Sequence, residues 1–481
     1  MQNETSCDRI VASFQDERRI YEGILEENDM NIVIMGCGKI GADILANMVM
    51  EGHDVTVIDQ DATVLNDITN VYDVMTMCGS GTDYDTLMEA GVAEAELYMA
   101  MTLNDELNFM SCFLARKMGA KHTVARISNP EYRGRGLAFI KQQANISMFI
   151  NPDQITAAEI FNTLKLPNGI RSEYFSKRNF EMIEMQVKEY SPLIGHKLYE
   201  IRNKIKAKFL VCVVRRGDQV FIPDGNFELK KGDMINLTAS PSEVDKLLKA
   251  CGYLEKGSRD VMILGGSGPA YYLGKMLAEV HSSVKIIERD RQRCRELCEA
   301  IPQAVVINGD GAKQEILLEE GLASADAFVS LTGIDEENIL MSIFAASQNV
   351  PKAMTKVDRN EFKVMAEKLG LENIVNPKEL ISNNMVRYAR ALENSMGSNV
   401  ETLYKLMDGA AEALEFNVKP SFKKVQIPLK YLDLKPNILI GGIVRGRRTI
   451  IPGGDDVIQV GDRVVVIATD QRLYDLSDIF R

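Results

Sequence analysis

Asn31–Met35 is a short apolar run that ends in glycines, and Lys39–Met50 behind it carries apolar residues at helical spacing. The turn Glu51-Gly52-His53-Asp54 and a second run, Val55–Ile58, complete a predicted βαβ unit. Asp73–Met77, Leu97–Met101 and Thr123–Ile127 read as further strands, with helical segments such as Asp83–Ala90 and Asp105–Met118 between them. That alternation predicts a parallel sheet with helices on both faces. The same reading serves Asp260 to about Asn376. Roughly Ile170–Tyr253 and Asn399–Arg481 differ: short apolar runs (Phe209–Val214, Val220–Ile222, Met234–Thr238) are separated by Gly-Asp and Pro-Asp-Gly turns. These stretches predict small α+β modules with antiparallel strands.

The pattern occurs twice. Val33–Gly41 (VIMGCGKIG) lines up with Ile263–Ala270 (ILGGSGPA), and VTVIDQD ending at Asp61 with VKIIERD ending at Asp290, at a shift of 229 residues. Met101–Asn108 then meets Leu331–Asn338 at a shift of 230, so the copies differ by one loop residue. Ile222–Asp233 and Ile451–Asp462 repeat in the back parts. The expected fold is α/β: two tandem copies of a Rossmann-like, doubly wound parallel-sheet lobe, each followed by a small α+β lobe. Their expected ranges are 30–151, 168–253, 258–376 and 397–481, behind an extension over 1–29. After the last front-lobe strand of each copy, Asn151-Pro152 and Asn376-Pro377 open helical stretches expected to link front to back.

Composition narrows the partners. The 56 Lys and Arg stand against 68 Asp and Glu, a net charge of -12, and no run of five basic residues occurs, which argues against nucleic acid. Eight Cys without a CxxC pair suit reduced thiols in a cytoplasm better than disulfides or zinc. No apolar stretch approaches the ~18 residues of a spanning helix, so any membrane crossing is expected of another chain.

The chemistry concentrates in Gly36-Cys37-Gly38-Lys39-Ile40-Gly41, a GxGxxG that leaves a strand and opens a helix. Gly36 permits the tight turn, Gly38 lets a pyrophosphate approach the backbone, and Gly41 lets helix and strand pack closely. Asp59 closes the second strand, where a carboxylate accepts hydrogen bonds from ribose hydroxyls and repels a 2′-phosphate, favouring NAD over NADP. The competing structural account makes the glycines a plain turn and Asp59 a strand-end cap. In the second copy the loop reads Gly265-Gly266-Ser267-Gly268-Pro269-Ala270, with Glu288 keeping the carboxylate. A weaker nucleotide site and a degenerate loop kept for packing are nearly even there. Thr102, with Leu103 beside it, and Thr332 end the fourth strands at the ligand-binding edge. Arg126 could contact ligand phosphates, and Lys356 takes its place in copy two, where a solvated surface role is as good a reading.

These residues resemble the cytoplasmic regulatory subunits of bacterial and archaeal potassium uptake systems, built from regulator-of-potassium-conductance (RCK) domains. The likeness runs from about Met30 to the end. It rests on GCGKIG with VID, GDGAKQEILLEEG at Gly309–Gly321, TxxDExN in both copies, and the doubled order of lobes. Gly79-Ser80-Gly81 departs from the family's usual Gly-Asp pair. The resemblance implies binding of NAD, NADH or ATP/ADP, assembly of the chain with itself into a homo-oligomeric ring, with a homotetramer expected, and gating of a separate integral-membrane Trk-type potassium channel from its cytoplasmic side. Family members typically begin just before the first strand, as Met30 would; Arg18–Glu26 in the extension could form a charged amphipathic helix. An NAD-dependent oxidoreductase is the alternative, and a scaffold with vestigial loops a third. None of the four His stands where a catalytic domain would present it, which favours the regulatory reading.

Overall fold

The computed structural model describes residues 30–481 apart from 133, 168–169, 176–179, 253–257, 396–399, 447, 470, 472 and 474; the anticipated helix in Arg18–Glu26 lies outside the described residues. Two compact units meet in the chain at Asn151 and Pro152.

The first unit holds strands β1 (Asn31–Met35), β2 (Asp54–Asp59), β3 (Met75–Cys78), β4 (Leu97–Ala100), β5 (His122–Arg126) and β6 (Met148–Ile150). All are parallel, in the order β3-β2-β1-β4-β5-β6. Helices α1 (Lys39–Met50), α2 (Ala62–Thr69), α3 (Tyr84–Glu89), α4 (Asp105–Met118) and α5 (Gly134–Gln143) make the crossovers. The chain leaves β1 for one side of the sheet and returns to β4 on the other. A crevice therefore opens between the carboxyl ends of β1 and β4. Strand β3 starts two residues later than its apolar pattern suggests, because Asn70–Tyr72 forms a turn after α2 and this edge strand is only half covered. Ile34, Ile44, Leu45, Met48 and Tyr98 fill the core, and burial pushes the Tyr98 phenol up while its hydroxyl meets Ser111.

The second unit opens with α6 (Pro152–Lys165) and the first back lobe: β7 (Ile170–Phe175), β8 (Phe180–Gln186), α7 (Leu198–Lys204), β9 (Phe209–Arg216), β10 (Gln219–Phe221), β11 (Met234–Ala239) and α8 (Pro241–Ala250). The second front sheet follows: β12 (Asp260–Leu264), β13 (Ser283–Glu288), β14 (Val305–Asn308), β15 (Ala327–Ser330), β16 (Lys352–Lys356) and β17 (Asn373–Val375). Its order, β14-β13-β12-β15-β16-β17, repeats the first, with crossovers α9 (Gly268–Glu279), α10 (Arg291–Ala300), α11 (Gln314–Glu319), α12 (Asp335–Ser347) and α13 (Asn360–Lys368). Helix α14 (Pro377–Ser395) leads to β18 (Val400–Leu406), β19 (Ala411–Asn417), β20 (Ile438–Arg445), β21 (Arg448–Ile450) and β22 (Arg463–Ala468).

The back sheets run antiparallel in matching orders, β10-β9-β11-β8-β7 and β21-β20-β22-β19-β18. In each, an arginine forks onto a carboxylate that is 1% exposed: Arg216 donates to Asp233 with both bonds at 2.7 Å, and Arg445 to Asp462 with both at 2.8 Å. Bidentate pairing compensates the burial of the charge. The two back lobes share one core, in which Met182, Cys212 and Val213 meet Ala413, Val465 and Ile467. The Thr238 hydroxyl donates to Gly441 O at 2.8 Å across that boundary.

Helix α6 does more than link. Ala157, Ile160 and Leu164, one stripe at helical spacing, join the core of the second front lobe beside Ala270, Leu273 and Leu277 of α9. At its far end the ammonium of Lys352, itself 3% exposed, donates to Thr163 O at 2.7 Å and to Leu166 O. A cation at a helix carboxyl terminus satisfies carbonyls that the helix leaves unpaired. Lys352→Met keeps the bulk and removes the donor. It is expected to lower stability by about 1–3 kcal/mol, read from urea unfolding.

Candidate nucleotide sites at the sheet switch points

Gly36 turns the chain out of β1 with φ +89, and its N–H donates to Ile58 O at 2.9 Å. A Cβ there would stand 2.7 Å from Thr102 Cγ2, so both the backbone conformation and the close approach call for glycine. A Cβ on Gly41 would lie 2.1 Å from Gly36 O, whereas one on Gly38 meets nothing within 4 Å. Gly38 is the N-cap of α1 and makes no side-chain cap, so the first-turn N–H groups face the crevice mouth. Lys39 is exposed and Ile40 half-buried beside it.

Asp59 ties the two loops of this edge together. One carboxylate oxygen accepts from Cys37 N–H at 2.7 Å and the other from Asp61 N–H at 3.0 Å. Cys37 lies underneath, 3% exposed, with its thiol pushed up to about 12 by burial and then by the Asp59 charge.

Thr102 is held by a residue that the sequence reading left unassigned. Asn108 Oδ1 accepts from the Thr102 hydroxyl at 2.7 Å and from Thr102 N–H at 3.1 Å. Asn108 Nδ2 donates to Thr102 O and to Arg126 O, both at 3.0 Å, joining the ends of β4 and β5. Asp105, 6% exposed, accepts from Ser128 N–H at 3.0 Å and Asn129 N–H at 2.8 Å. The signal for both residues was present in the repeated TxxDExN. Leu103 is 84% exposed, and Arg126 is half-buried at the end of β5.

The second copy rebuilds this arrangement with other residues. Gly265 has φ +91, and a Cβ on it would lie 3.0 Å from the Leu331 carbonyl. Glu288 accepts from Gly266 N–H at 2.6 Å and Asp290 N–H at 2.7 Å, so the longer side chain makes the same two ties as Asp59. Asn338 braces Thr332 at 2.8 Å and Lys356 O at 3.0 Å. Ser267 caps α9 without a side-chain bond, and its hydroxyl oxygen is buried with no partner. Pro269 is in the first turn of α9, and Ala270 is fully buried. Lys356 departs from the solvated surface role: it is 9% exposed and pairs with Asp358 at 2.9 Å.

A cavity of about 430 Å³ opens here, lined by Gly265, Gly266, Ser267, Glu288 and Thr332. Asp310, Glu337 and Arg289 line it as well, so it carries three carboxylates and one guanidinium. Burial pushes the Glu337 carboxyl up; the Asp310 and Glu288 charges add to this against the pull of Arg289.

The Cys37 geometry predicts chemical inertness. An alkylating reagent at pH 8 should label the exposed Cys78 and Cys298 in the folded chain and spare Cys37 until denaturant is added, as mass spectrometry of the digested protein would show.

The chain matches the TrkA-N domain model over residues 32–152 and 261–377 and the TrkA-C domain model over 182–252 and 414–481. It is 30% identical over 453 residues to the Trk system potassium uptake protein TrkA homolog of Archaeoglobus fulgidus, covering 94% of this chain and 100% of that one. The Trk system potassium uptake protein TrkA of Haemophilus influenzae is 28% identical over 450 residues, 92% of this chain and 96% of that one. Among solved structures, the GsuK channel bound to NAD superposes with a TM-score of 0.61 at 16% identity, over 92% of this chain and 77% of that one, a likeness of fold. Both domain models matched twice in alternation, together with near full-length relatives, place the chain in the TrkA family of Trk-system potassium uptake proteins.

Proposed function

We propose that the chain is a non-enzymatic regulatory subunit that binds NAD(H) or adenine nucleotides at its front lobes and gates a Trk-type membrane potassium transporter from the cytoplasmic side. One observation carries the reading: a glycine turn, a helix amino terminus whose N-cap side chain makes no cap bond, and a strand-end carboxylate converge at the switch point of each front sheet. That combination offers backbone donors to a pyrophosphate and a carboxylate to ribose hydroxyls. Two oxygens of Asp59 already accept from the backbone, and each keeps a lone pair for a ribose hydroxyl. Arg126, Leu103 and Thr102 complete the proposed first site, and Ser267, Gly268, Thr332 and Lys356 the second.

The groups at these edges bind and orient. No histidine is among the residues that line the second-copy cavity, and a repeated cofactor lobe without a substrate lobe suits a sensor. A nucleotide then acts by its unequal affinity for two conformations of the assembly. The relatives carry Trk-system potassium uptake names, which supports a membrane transporter as partner. Among the described residues no helix is long and apolar enough to cross a membrane.

Asp59→Ala is expected to weaken NADH binding about ten- to a hundredfold, the worth of hydrogen bonds to a charged acceptor, and NADPH should bind the parent chain poorly. Calorimetry giving equal affinity for NADH and NADPH would remove Asp59 from the ribose role. The self-assembly proposed is a homotetramer, eight front-and-back copies in a ring-like gate. Light scattering at micromolar protein, with and without nucleotide, checks it, and a monomeric mass in both refutes it. Co-purification with a membrane potassium transporter tests the partner.

A further inference from the structure

Helix α9 begins at Gly268, where the first copy has Lys39. A Cβ built on Gly268 would lie 2.0 Å from Asp153 Oδ2 and 2.4 Å from Asp153 Cγ. The Asp153 carboxylate therefore rests on the first residue of α9, in space that any side chain at position 268 would claim. It is delivered by α6, which is fixed to this lobe through Ala157, Ile160 and Leu164 and through Lys352 at its far end. The beginning of α9 is also where the phosphates of a nucleotide would arrive, drawn by first-turn N–H groups and the positive end of the helix dipole. A fixed carboxylate there uses that field before any ligand does.

The neighbouring cavity has the same sign, through Glu288, Asp310 and Glu337. In the first copy Ser80 stands at the place of Asp310 and Leu107 at that of Glu337. The two connectors also differ: Asn151-Pro152 is followed by Asp153, and Asn376-Pro377 by Lys378. Acidity at the second switch point is thus local, and Asp153 is the part of it that touches the helix start.

We propose that Asp153 is a specificity-determining residue of the second nucleotide site, ranking phosphate ligands by charge so that NAD+ is taken in preference to ADP and ATP. The inference rests on the front lobes being nucleotide sites. Coulomb's law makes the penalty grow with each negative charge on the ligand, so the device discriminates rather than simply blocks. Gly268 is the other half of it, since only a residue without Cβ leaves room for the carboxylate.

The test is calorimetric titration of the full chain with NAD+, ADP and ATP in a Gly38→Val background, so that the heat reports the second loop. Asp153→Asn, isosteric and uncharged, should raise ATP affinity about tenfold or more, ADP less, and NAD+ by no more than about threefold, with the spread shrinking as salt rises. Gly268→Ala, which expels the carboxylate and keeps its charge in the chain, should shift the ranking in the same direction. Asp153→Ser serves if the Asn variant does not fold. Equal gains for all three ligands, or none, in a folded variant overturn the assignment while leaving the proposed function standing, provided the unmutated chain binds nucleotide at Gly36–Gly41. If no version of the chain binds nucleotide at either loop, the proposed function falls and this inference with it.

Discussion

At the switch point of each front lobe, one carboxylate at the end of the second strand holds the neighbouring loops together. It accepts from the glycine loop on one side and from the residue two positions on with the other oxygen, so the loop after β1 and the loop after β2 share a single strut. The second copy replaces Asp59 by Glu288 and still closes both bonds, which shows that the tie matters more than the length of the side chain. The same two bonds make the carboxylate a strand-end cap, and they leave each oxygen a lone pair for the ribose role proposed above.

Much of this was legible in the sequence because it follows from local rules. The glycine turn, the βαβ alternation and the antiparallel back lobes each leave a periodic or turn signature, and the repeat made each reading checkable against its copy. Strand ends shifted where the pattern is weakest, as at the half-covered edge strand β3. Asn108 and Asp105 were harder, because a polar residue inside a helix shows its value only when the next strand end is brought to it in space. The solvated-surface alternative for Lys356 fails for a related reason. Its charge suggests solvent, and its partner Asp358 lies just past the strand, where no helical or strand period marks it.

The second copy shows how a loop can drift in sequence and keep its frame. Gly265 retains the turn and Asn338 the brace, while Ser267 changes the N-cap of α9 and Pro269 and Ala270 are buried in its first turn. The bonds that hold the chain's own backbone persist across these differences. Long-range features left no trace a single sequence could reveal. The common core of the back lobes joins residues more than two hundred positions apart.

Helix α6 crosses the boundary between the two sequence copies. Its first residue follows directly on the last strand of one front lobe's segment, yet its apolar stripe and its charged clamp belong to the other. A chain with one copy built on this plan would have to lend that helix to a second molecule, and would be incomplete alone. Two copies in one chain turn the loan inward. A fragment beginning at Asp260 would keep every strand of the second front sheet and still expose the face of α9 that α6 covers, so the natural seam of this protein lies about a hundred residues upstream of where its second sheet begins.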